Sequence, residues 1–273
     1  MFRYTKATFS REVAMLLVAL VFVFPIYILV NMSFREANDP TSLLLPTMQP
    51  TFDNFVEAWQ QAGLGPALLN SAIVTVTSVV LIVLISSAAA YPLARVMSKL
   101  SSTLFWVVLV GMMIPFQVAL IPLYQTMRDL NLLGSLLSLI LFYTGSQVPF
   151  SIFLYTGFLR TLERDYEEAA AIDGASTIRT FVSIVFPLVR PITGTVIILN
   201  AIEVWNDFLV PLLYLSGTPQ QTVTVALYAF VGQFVSNWPI VFAGLVISIV
   251  PVLAIYFLMQ KQIIKGFAGG LKG

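Results

Sequence analysis

Four side chains that can hydrogen-bond a polar molecule share one face of an otherwise apolar stretch. They are Asn200, Glu203, Asn206 and Asp207. At 100° per residue they fall within about 120° of a helical circumference. A carboxylate inside a bilayer costs roughly a few kcal/mol or more, so it usually faces a bundle interior or a water-filled cavity. This face can line a path for a polar solute, or it can bind a neighbouring helix, a partner chain or a water molecule at a gate. The sequence leaves both interpretations open.

The longest charged stretch in the chain runs from Arg160 to Pro191 and carries five acids and four bases. Asp165, with Glu168 three residues later, has the spacing of a capping box, which predicts a helix start. The alanines Ala169–Ala171 propagate that helix well. Gly174 permits the backbone turn that ends it.

A second short helix is predicted directly after this turn. Ser176 can cap a helix that passes through Phe181 to Ile184, and Pro187 closes the segment. Two short helices with a glycine elbow, flanked by membrane spans, form a compact element on which a partner can dock. The alternative is a solvated charged loop whose amphipathic helix lies on the membrane.

The spacing within this segment resembles the signature of the membrane permeases of ATP-binding-cassette (ABC) importers. The signature is EAA, three residues, Gly, nine residues and Ile-x-Leu-Pro, and this chain has Glu168-Ala169-Ala170, Gly174, Ile184, Phe186 and Pro187. Phe186 stands where the pattern has Leu, and Leu162-Glu163 stands where relatives often carry Ile-Pro before the helix. Asp173, Ala175 and Ser176 resemble the carbohydrate-importer branch, and Trp205 to Leu209 and the tail Gly266 to Gly273 resemble the MalG-like sugar permeases.

The resemblance implies an all-α, six-span, type I ABC importer permease fold over a single domain, residues 1–273. It implies that seven residues couple the chain to an ATPase: Asp165, Glu168, Ala169, Ala170, Asp173, Gly174 and Pro187. On this view Asn200, Glu203, Asn206 and Asp207 hydrogen-bond sugar hydroxyls along half of a translocation path. The implied partners are a second, different permease, an ABC ATPase dimer that holds ATP and Mg²⁺, an extracellular or periplasmic substrate-binding protein, and membrane lipid.

Composition independently indicates a polytopic membrane protein. The chain is 58% hydrophobic and 10% charged, whereas soluble domains carry about 25% charged residues. The absence of Cys and His excludes disulfides, thiolate or imidazole metal sites and histidine-dependent nucleophilic catalysis. A net charge of +1 predicts no nucleic-acid partner. Without a G-x-x-x-x-G-K-[ST] loop to hold phosphates, the chain is predicted to be no enzyme, with no metal or cofactor of its own.

Six apolar stretches are predicted to cross the membrane. They cover about residues 13–30, 72–92, 104–123, 136–158, 192–213 and 241–259. Each is near the roughly 20 residues that cross about 30 Å of hydrocarbon. The first is long for a signal peptide and lacks a cleavage site, which favours an uncleaved span. Pro115 and Pro122 are predicted to interrupt the third span, and Gly145-Ser146-Gln147 with Pro149 the fourth.

The distribution of Lys and Arg predicts cytoplasmic N- and C-termini, and the resemblance to ABC importer permeases implies a bacterial or archaeal cell (inner) membrane. With six spans, all of the 14 basic residues except Arg35 and Arg128 fall inside. This places segment 160–190 in the cytoplasm and loops 32–68 and 216–240 outside. Aromatic residues of the second loop, namely Tyr228, Phe230, Phe234 and Trp238, can anchor it to the bilayer. Resemblance to the MalG-like permeases offers contact with the binding protein as a second role.

Two other functions remain as alternatives. A secondary, ion-coupled transporter needs ionisable residues in several spans, and only the fifth span has them here. A membrane scaffold without transport activity is the other alternative.

Overall fold

The computed structural model describes residues 6–37, 39, 42–233 and 237–270, and within these ranges the chain is helical with connecting turns. The helices are α1 (Lys6–Ser33), α2 (Asp53–Gln61), α3 (Leu64–Arg95), α4 (Lys99–Met113), α5 (Phe116–Asp129), α6 (Leu136–Thr161), α7 (Asp165–Ile172), α8 (Thr177–Thr180), α9 (Phe186–Leu188), α10 (Arg190–Asn206), α11 (Leu209–Tyr214), α12 (Val223–Gln233) and α13 (Trp238–Gly270). A π-helical turn, Phe181–Val185, joins α8 to α9. The all-α prediction is confirmed. Arg3, Phe234, Lys272 and the end of the tail lie outside the described residues.

Four described helices are long and apolar enough to span a membrane, namely α1, α3, α6 and α13. Two bent helix pairs also pass the same criteria of length and composition. These pairs are α4 with α5, bent by 95°, and the stretch Thr177–Leu188 with α10, bent by 75°. Counting each pair as one span gives six, the number that the sequence predicts, but the second pair begins at Thr177, within the segment predicted to be cytoplasmic, and not at residue 192.

Pro115 breaks the third span completely. Ile114 and Pro115 both have extended backbone, with ψ of 115° and 125°, so α4 ends before them and α5 starts at Phe116. A proline disfavours helical geometry at the residue before it, which accounts for the break. Pro122, also predicted to interrupt, is accommodated inside α5.

The predicted interruption of the fourth span is wrong. Helix α6 runs through Gly145 to Pro149 without a break. A hydroxyl from α3 lies beside this proline, since Ser86 Oγ donates to the Val148 carbonyl at 3.4 Å. Prolines are tolerated in membrane helices where neighbouring helices and hydroxyl side chains satisfy the freed backbone groups.

The predicted fifth span ends earlier than expected. Helix α10 stops at Asn206, Asp207 has extended backbone with ψ of 134°, and α11 then starts at Leu209. The Asp207 carboxylate accepts from Leu209 N at 3.0 Å, so the side chain stabilises the new helix start. The outside loop predicted at 216–240 also contains a helix of its own, α12.

The chain divides into two compact units, residues 1–65 with 226–251 and residues 66–225 with 252–273. In the first unit, side chains close to the end of α1 hold the loop that follows. Asn31 Nδ2 donates to the carbonyls of Leu43 and Leu45, and buried Arg35 donates to those of Ser42 and Leu45. Side-chain hydrogen bonds therefore hold the described part of the predicted polar loop 32–68, which also contains α2.

Helix α6 is central to the second unit. Its C-terminal half, with Tyr155 and Leu159, packs against α3, α10 and the segment before α10. Its N-terminal half, with Leu139 and Tyr143, packs against α5, α10 and α11. These side chains join the helices by close van der Waals packing. Helix α6 therefore fixes the positions of both sites described next.

Candidate functional site

The charged segment begins at α7 without the predicted capping box. Asp165 is the first helical residue, and Arg164 before it occupies the N-cap position. Arg164 already has helical backbone angles (φ −81°, ψ −13°), and no side chain caps the helix. The capping-box prediction is wrong because a side-chain cap needs extended backbone at the N-cap. Asp165, Glu167 and Glu168 fill the first turn instead, where their charges favour the helix dipole.

The predicted elbow at Gly174 is confirmed. Gly174 has φ +77°, the left-handed conformation that glycine adopts without strain. Its N–H donates to the Ala171 carbonyl at 3.0 Å, and Ala175 N donates to the Ala170 carbonyl at 2.9 Å. These two bonds form a Schellman motif, which satisfies the last carbonyls of α7. Ser176 Oγ then accepts from Arg179 N and caps α8 as predicted.

Pro187 does not close the segment. It lies within the short helix α9, which follows the π turn, and the backbone stays helical up to Val189. The change of direction comes after α9, where α10 starts at an angle of 75°.

A salt bridge joins α7 to the end of α3. Arg95 Nη2 and Glu167 Oε1 are 2.8 Å apart, and the two side chains are only 11% and 15% exposed. Tyr91 donates its hydroxyl to Glu167 Oε2 at 3.1 Å, and Arg95 Nη1 donates to the Leu162 carbonyl at 3.2 Å. Sequence analysis missed Glu167. The available signal was an arginine at the end of one predicted span and an acidic residue just before the EAA motif.

The predicted coupling residues differ in exposure. Asp165, Glu168, Ala169, Asp173 and Gly174 are exposed, while Ala170 is buried. Two isoleucines next to this surface are unusually exposed for their type, Ile172 at 87% and Ile178 at 77%. The outer face of α7 and α8 therefore presents both carboxylates and large apolar side chains, a combination that suits a protein partner.

A half-open cavity of about 530 Å³ lies between the α4–α5 break, the middle of α6 and the end of α10. Most of its lining is apolar, and we call it the polar cavity because six polar side chains also line it. Its polar lining residues are Gln117, Tyr143, Ser146, Gln147, Glu203 and Asp207. The break at Pro115 and the glycine at position 145 both border it. The two stretches that were predicted to interrupt the third and fourth spans therefore meet beside the carboxylates of Glu203 and Asp207.

The four predicted path residues divide into two pairs. Glu203 and Asp207 line the polar cavity, and Asp207 Oδ2 accepts from the Tyr143 hydroxyl at 2.8 Å. Asn200 is buried and donates to Ser151 Oγ of α6 at 3.1 Å. Asn206 is exposed and donates to the Ile202 carbonyl of its own helix at 2.8 Å. Neither asparagine is among the residues that line the cavity.

Four polar lining residues were not predicted to line the path, namely Gln117, Tyr143, Ser146 and Gln147, of which the last two were named only as part of the interruption of the fourth span. Each lies in an apolar span, one or two residues from a proline or glycine that the sequence did single out. A glutamine inside an apolar span needs a polar partner or a cavity, and that was the available signal.

A profile of the family described as "Binding-protein-dependent transport system inner membrane component" matches residues 81–268 of this chain. The match begins within α3 and includes the charged segment and every residue that lines the polar cavity.

Two relatives align over nearly the whole chain. The melibiose/raffinose/stachyose import permease protein of Bacillus subtilis is 35% identical over 267 residues, covering 96% of this chain and 97% of the relative. The multiple sugar-binding transport system permease protein of Streptococcus mutans is 32% identical, covering 96% of each.

Among solved structures, the chain is similar to a bacterial ABC transporter that imports the acidic polysaccharide alginate. The TM-score is 0.82 at 22% identity, with 96% of this chain and 99% of that chain covered. This likeness shows a shared fold.

Proposed function

Because this chain belongs to the family of binding-protein-dependent transport system inner membrane components, we propose that it forms half of the translocation path for a sugar or a related polar solute. It is a multi-pass permease subunit of an ABC importer, a transport component and not an enzyme. Such a permease works with a partner permease, an ATPase and a substrate-binding protein.

The observation that carries the proposal is the polar cavity. The side chain of Glu203 is exposed, lines this cavity and makes no ion pair or hydrogen bond among the described residues. A carboxylate within a membrane span is costly unless water or a solute solvates it. The names of the two relatives support a sugar as the solute. The lining of the cavity suits one as well, since sugar hydroxyl groups can donate to Glu203 and can both donate to and accept from Gln117 and Gln147.

The proposed coupling surface is the exposed face of α7 and α8. Glu168, Ala169 and Asp173, with Ile172 and Ile178 beside them, contact the ATPase. Ala170 and Pro187 act from within the segment, Ala170 by packing beneath α7. Gly174 sets the angle of the elbow, and Asp165 adds charge at the helix start. Through the Glu167–Arg95 salt bridge, a movement of α7 reaches α3 directly.

Several finer assignments form part of the proposal. The chain is one permease domain with its N- and C-termini and segment 160–190 in the cytoplasm of a bacterial or archaeal cell. Loops 32–68 and 216–240 face outward, where the second loop meets the binding protein. The partner permease is a different chain, and ATP and Mg²⁺ bind the ATPase dimer alone.

Reconstitution tests the function. The chain is co-expressed with its neighbouring permease and ATPase, purified as a complex and placed in proteoliposomes with the binding protein. Solute uptake is expected only with ATP, Mg²⁺ and binding protein together. Uptake driven by an ion gradient without ATP would instead establish a secondary transporter, and copurification without uptake of any retained solute would favour a scaffold.

A further inference from the structure

A second cavity, of about 730 Å³, lies where the ends of α3, α4 and α6 meet. Four of its lining residues are basic, namely Arg95, Lys99, Arg160 and Arg164, and none is acidic. We refer to it as the basic cavity. Of its basic lining residues only Arg95 also has a role in the proposed coupling, through its salt bridge with Glu167.

The positive charge of the basic cavity is largely unbalanced. Arg95 is paired with Glu167, but Lys99, Arg160 and Arg164 have no carboxylate within 4.0 Å among the described residues. The guanidinium of Arg160 lies 4.7 Å from the centre of the Phe105 ring. Arg164 Nη2 donates to the Arg95 carbonyl at 3.3 Å. Clustered charges of one sign in a cleft raise the local concentration of counter-ions, so an anion is the expected occupant.

Hydrogen-bond donors add to this charge. Helix α4 has 15 residues, and Ser98 and Lys99 at its N-terminus line the cavity. The positive end of the α4 dipole therefore lies at the cavity. Exposed Ser102 also lines it and can offer its hydroxyl. Cations, a hydroxyl and a helix N-terminus together suit a phosphate group.

The position of the basic cavity at the helix ends favours the phosphate of a lipid headgroup over a free phosphate ion. Arg95 is the last residue of α3, Lys99 the first of α4, and Arg160 lies one residue from the end of α6. Span ends mark the level of the lipid headgroups. On the same face of α4 as Lys99 and Ser102, exposed Trp106, Val110 and Met113 follow at helical spacing and form an apolar stripe.

We propose that the basic cavity binds the phosphate of an anionic phospholipid, with its acyl chains along the stripe of Trp106, Val110 and Met113. Basic pockets between membrane helices are a recognised way of holding anionic lipid headgroups. The proposal requires that the chain spans a membrane, but it depends neither on the transported solute nor on the orientation of the chain.

The chain has no native cysteine, so one fluorophore on Met97→Cys, at the cavity rim, reports on nearby lipid. The assembled complex is reconstituted with a small, equal fraction of brominated phosphatidylglycerol or brominated phosphatidylcholine, and quenching is compared. Phosphatidylglycerol is expected to quench more than its bulk fraction allows. In the double variant Lys99→Gln with Arg160→Gln, the excess quenching should disappear, because each charge removed weakens the binding of the anionic lipid about fivefold.

Charge-preserving and charge-matched variants complete the test. Lys99→Arg should keep the excess quenching, and Arg190→Gln, which removes an exposed charge outside the cavity, should also keep it. Equal quenching by both lipids would overturn the proposal. Loss of the excess on adding inorganic phosphate at constant ionic strength would assign the cavity to free phosphate. Excess quenching that appears only when the ATPase is left out would show that a protein surface covers the cavity in the complex. That result would also overturn the lipid site.

Discussion

Two carboxylates at the polar cavity have different environments. Asp207 accepts hydrogen bonds from the Tyr143 hydroxyl and from Leu209 N, and its own carbonyl accepts from Thr224 Oγ1. These bonds fix the break between α10 and α11. Glu203, one turn earlier, is exposed and has no such bonds among the described residues. Asp207 therefore stabilises the break between α10 and α11, whereas Glu203 is the carboxylate available to bind a solute.

The environment of Glu203 leads to the first prediction. Glu203→Gln keeps the shape and the hydrogen bonding, so uptake of a neutral sugar should persist. Glu203→Leu removes about one hydrogen bond, or roughly 1 kcal/mol, and should weaken the apparent affinity for solute about fivefold. Uptake kinetics and the yield of assembled complex are measured on the same membranes.

Asn206 provides the matched control for Glu203. It is also exposed, lies three residues along the same helix and does not line the cavity. Asn206→Leu should leave the apparent affinity unchanged. A drop in complex yield for Glu203→Leu, with normal affinity in what remains, would mean that Glu203 binds a partner helix instead.

Gly174 gives a second prediction at the residue scale. A Cβ atom built at Gly174 would have no heavy atom within 4 Å, so any effect of substitution comes from the positive φ and not from a clash. Gly174→Val should strain the elbow by about 1 kcal/mol or more and abolish solute-stimulated ATP hydrolysis. Gly174→Asn should retain most of it, because Asn tolerates this conformation better. If both variants lose coupling equally, the turn geometry is not the cause.

At the scale of elements, the Glu167–Arg95 salt bridge is one of the contacts that join α7, part of the proposed ATPase contact, to α3. Both side chains are almost buried, and removing one partner of such a pair strands the other charge. We expect Glu167→Ala and Arg95→Ala each to lower solute-stimulated ATP hydrolysis. The double variant should be little worse than either single one, because both act through one interaction. Fully additive losses in this double-mutant cycle would show that the two residues act separately.

Local rules predicted the helix ends at Pro115 and Gly174 but not the unbroken helices at Pro122 and Pro149. Pro115 ends α4 because a proline disfavours helical backbone at the residue before it, and Gly174 turns the chain because its backbone angles require glycine. Pro149 does not break α6, which is packed against several neighbouring elements. That compensation is tertiary and cannot be seen in the sequence of α6. The Tyr143–Asp207 bond joins residues 64 positions apart, so it too was beyond a local analysis.

At the scale of the molecule, this chain is built as part of a larger assembly. None of the apolar window of α1 is buried within the chain, against 39% of that of α3. Lipid or a partner permease must therefore cover α1. The polar cavity likewise has walls from α4, α5, α6 and α10 alone, consistent with a second permease supplying the other half of the path.

The orientation of the assembly can be tested with two methionines of similar exposure. Met48, in loop 32–68, is 85% exposed, and Met97, between α3 and α4, is 92% exposed. With cytoplasmic termini, Met48 lies outside and Met97 inside. An impermeant thiol reagent on intact cells should label Met48→Cys and spare Met97→Cys until the membrane is permeabilised. Ser216→Cys, in the second outside loop, should behave like Met48→Cys. Labelling of Met97→Cys in intact cells would invert the topology and, because segment 160–190 follows the same side, would exclude its contact with a cytoplasmic ATPase.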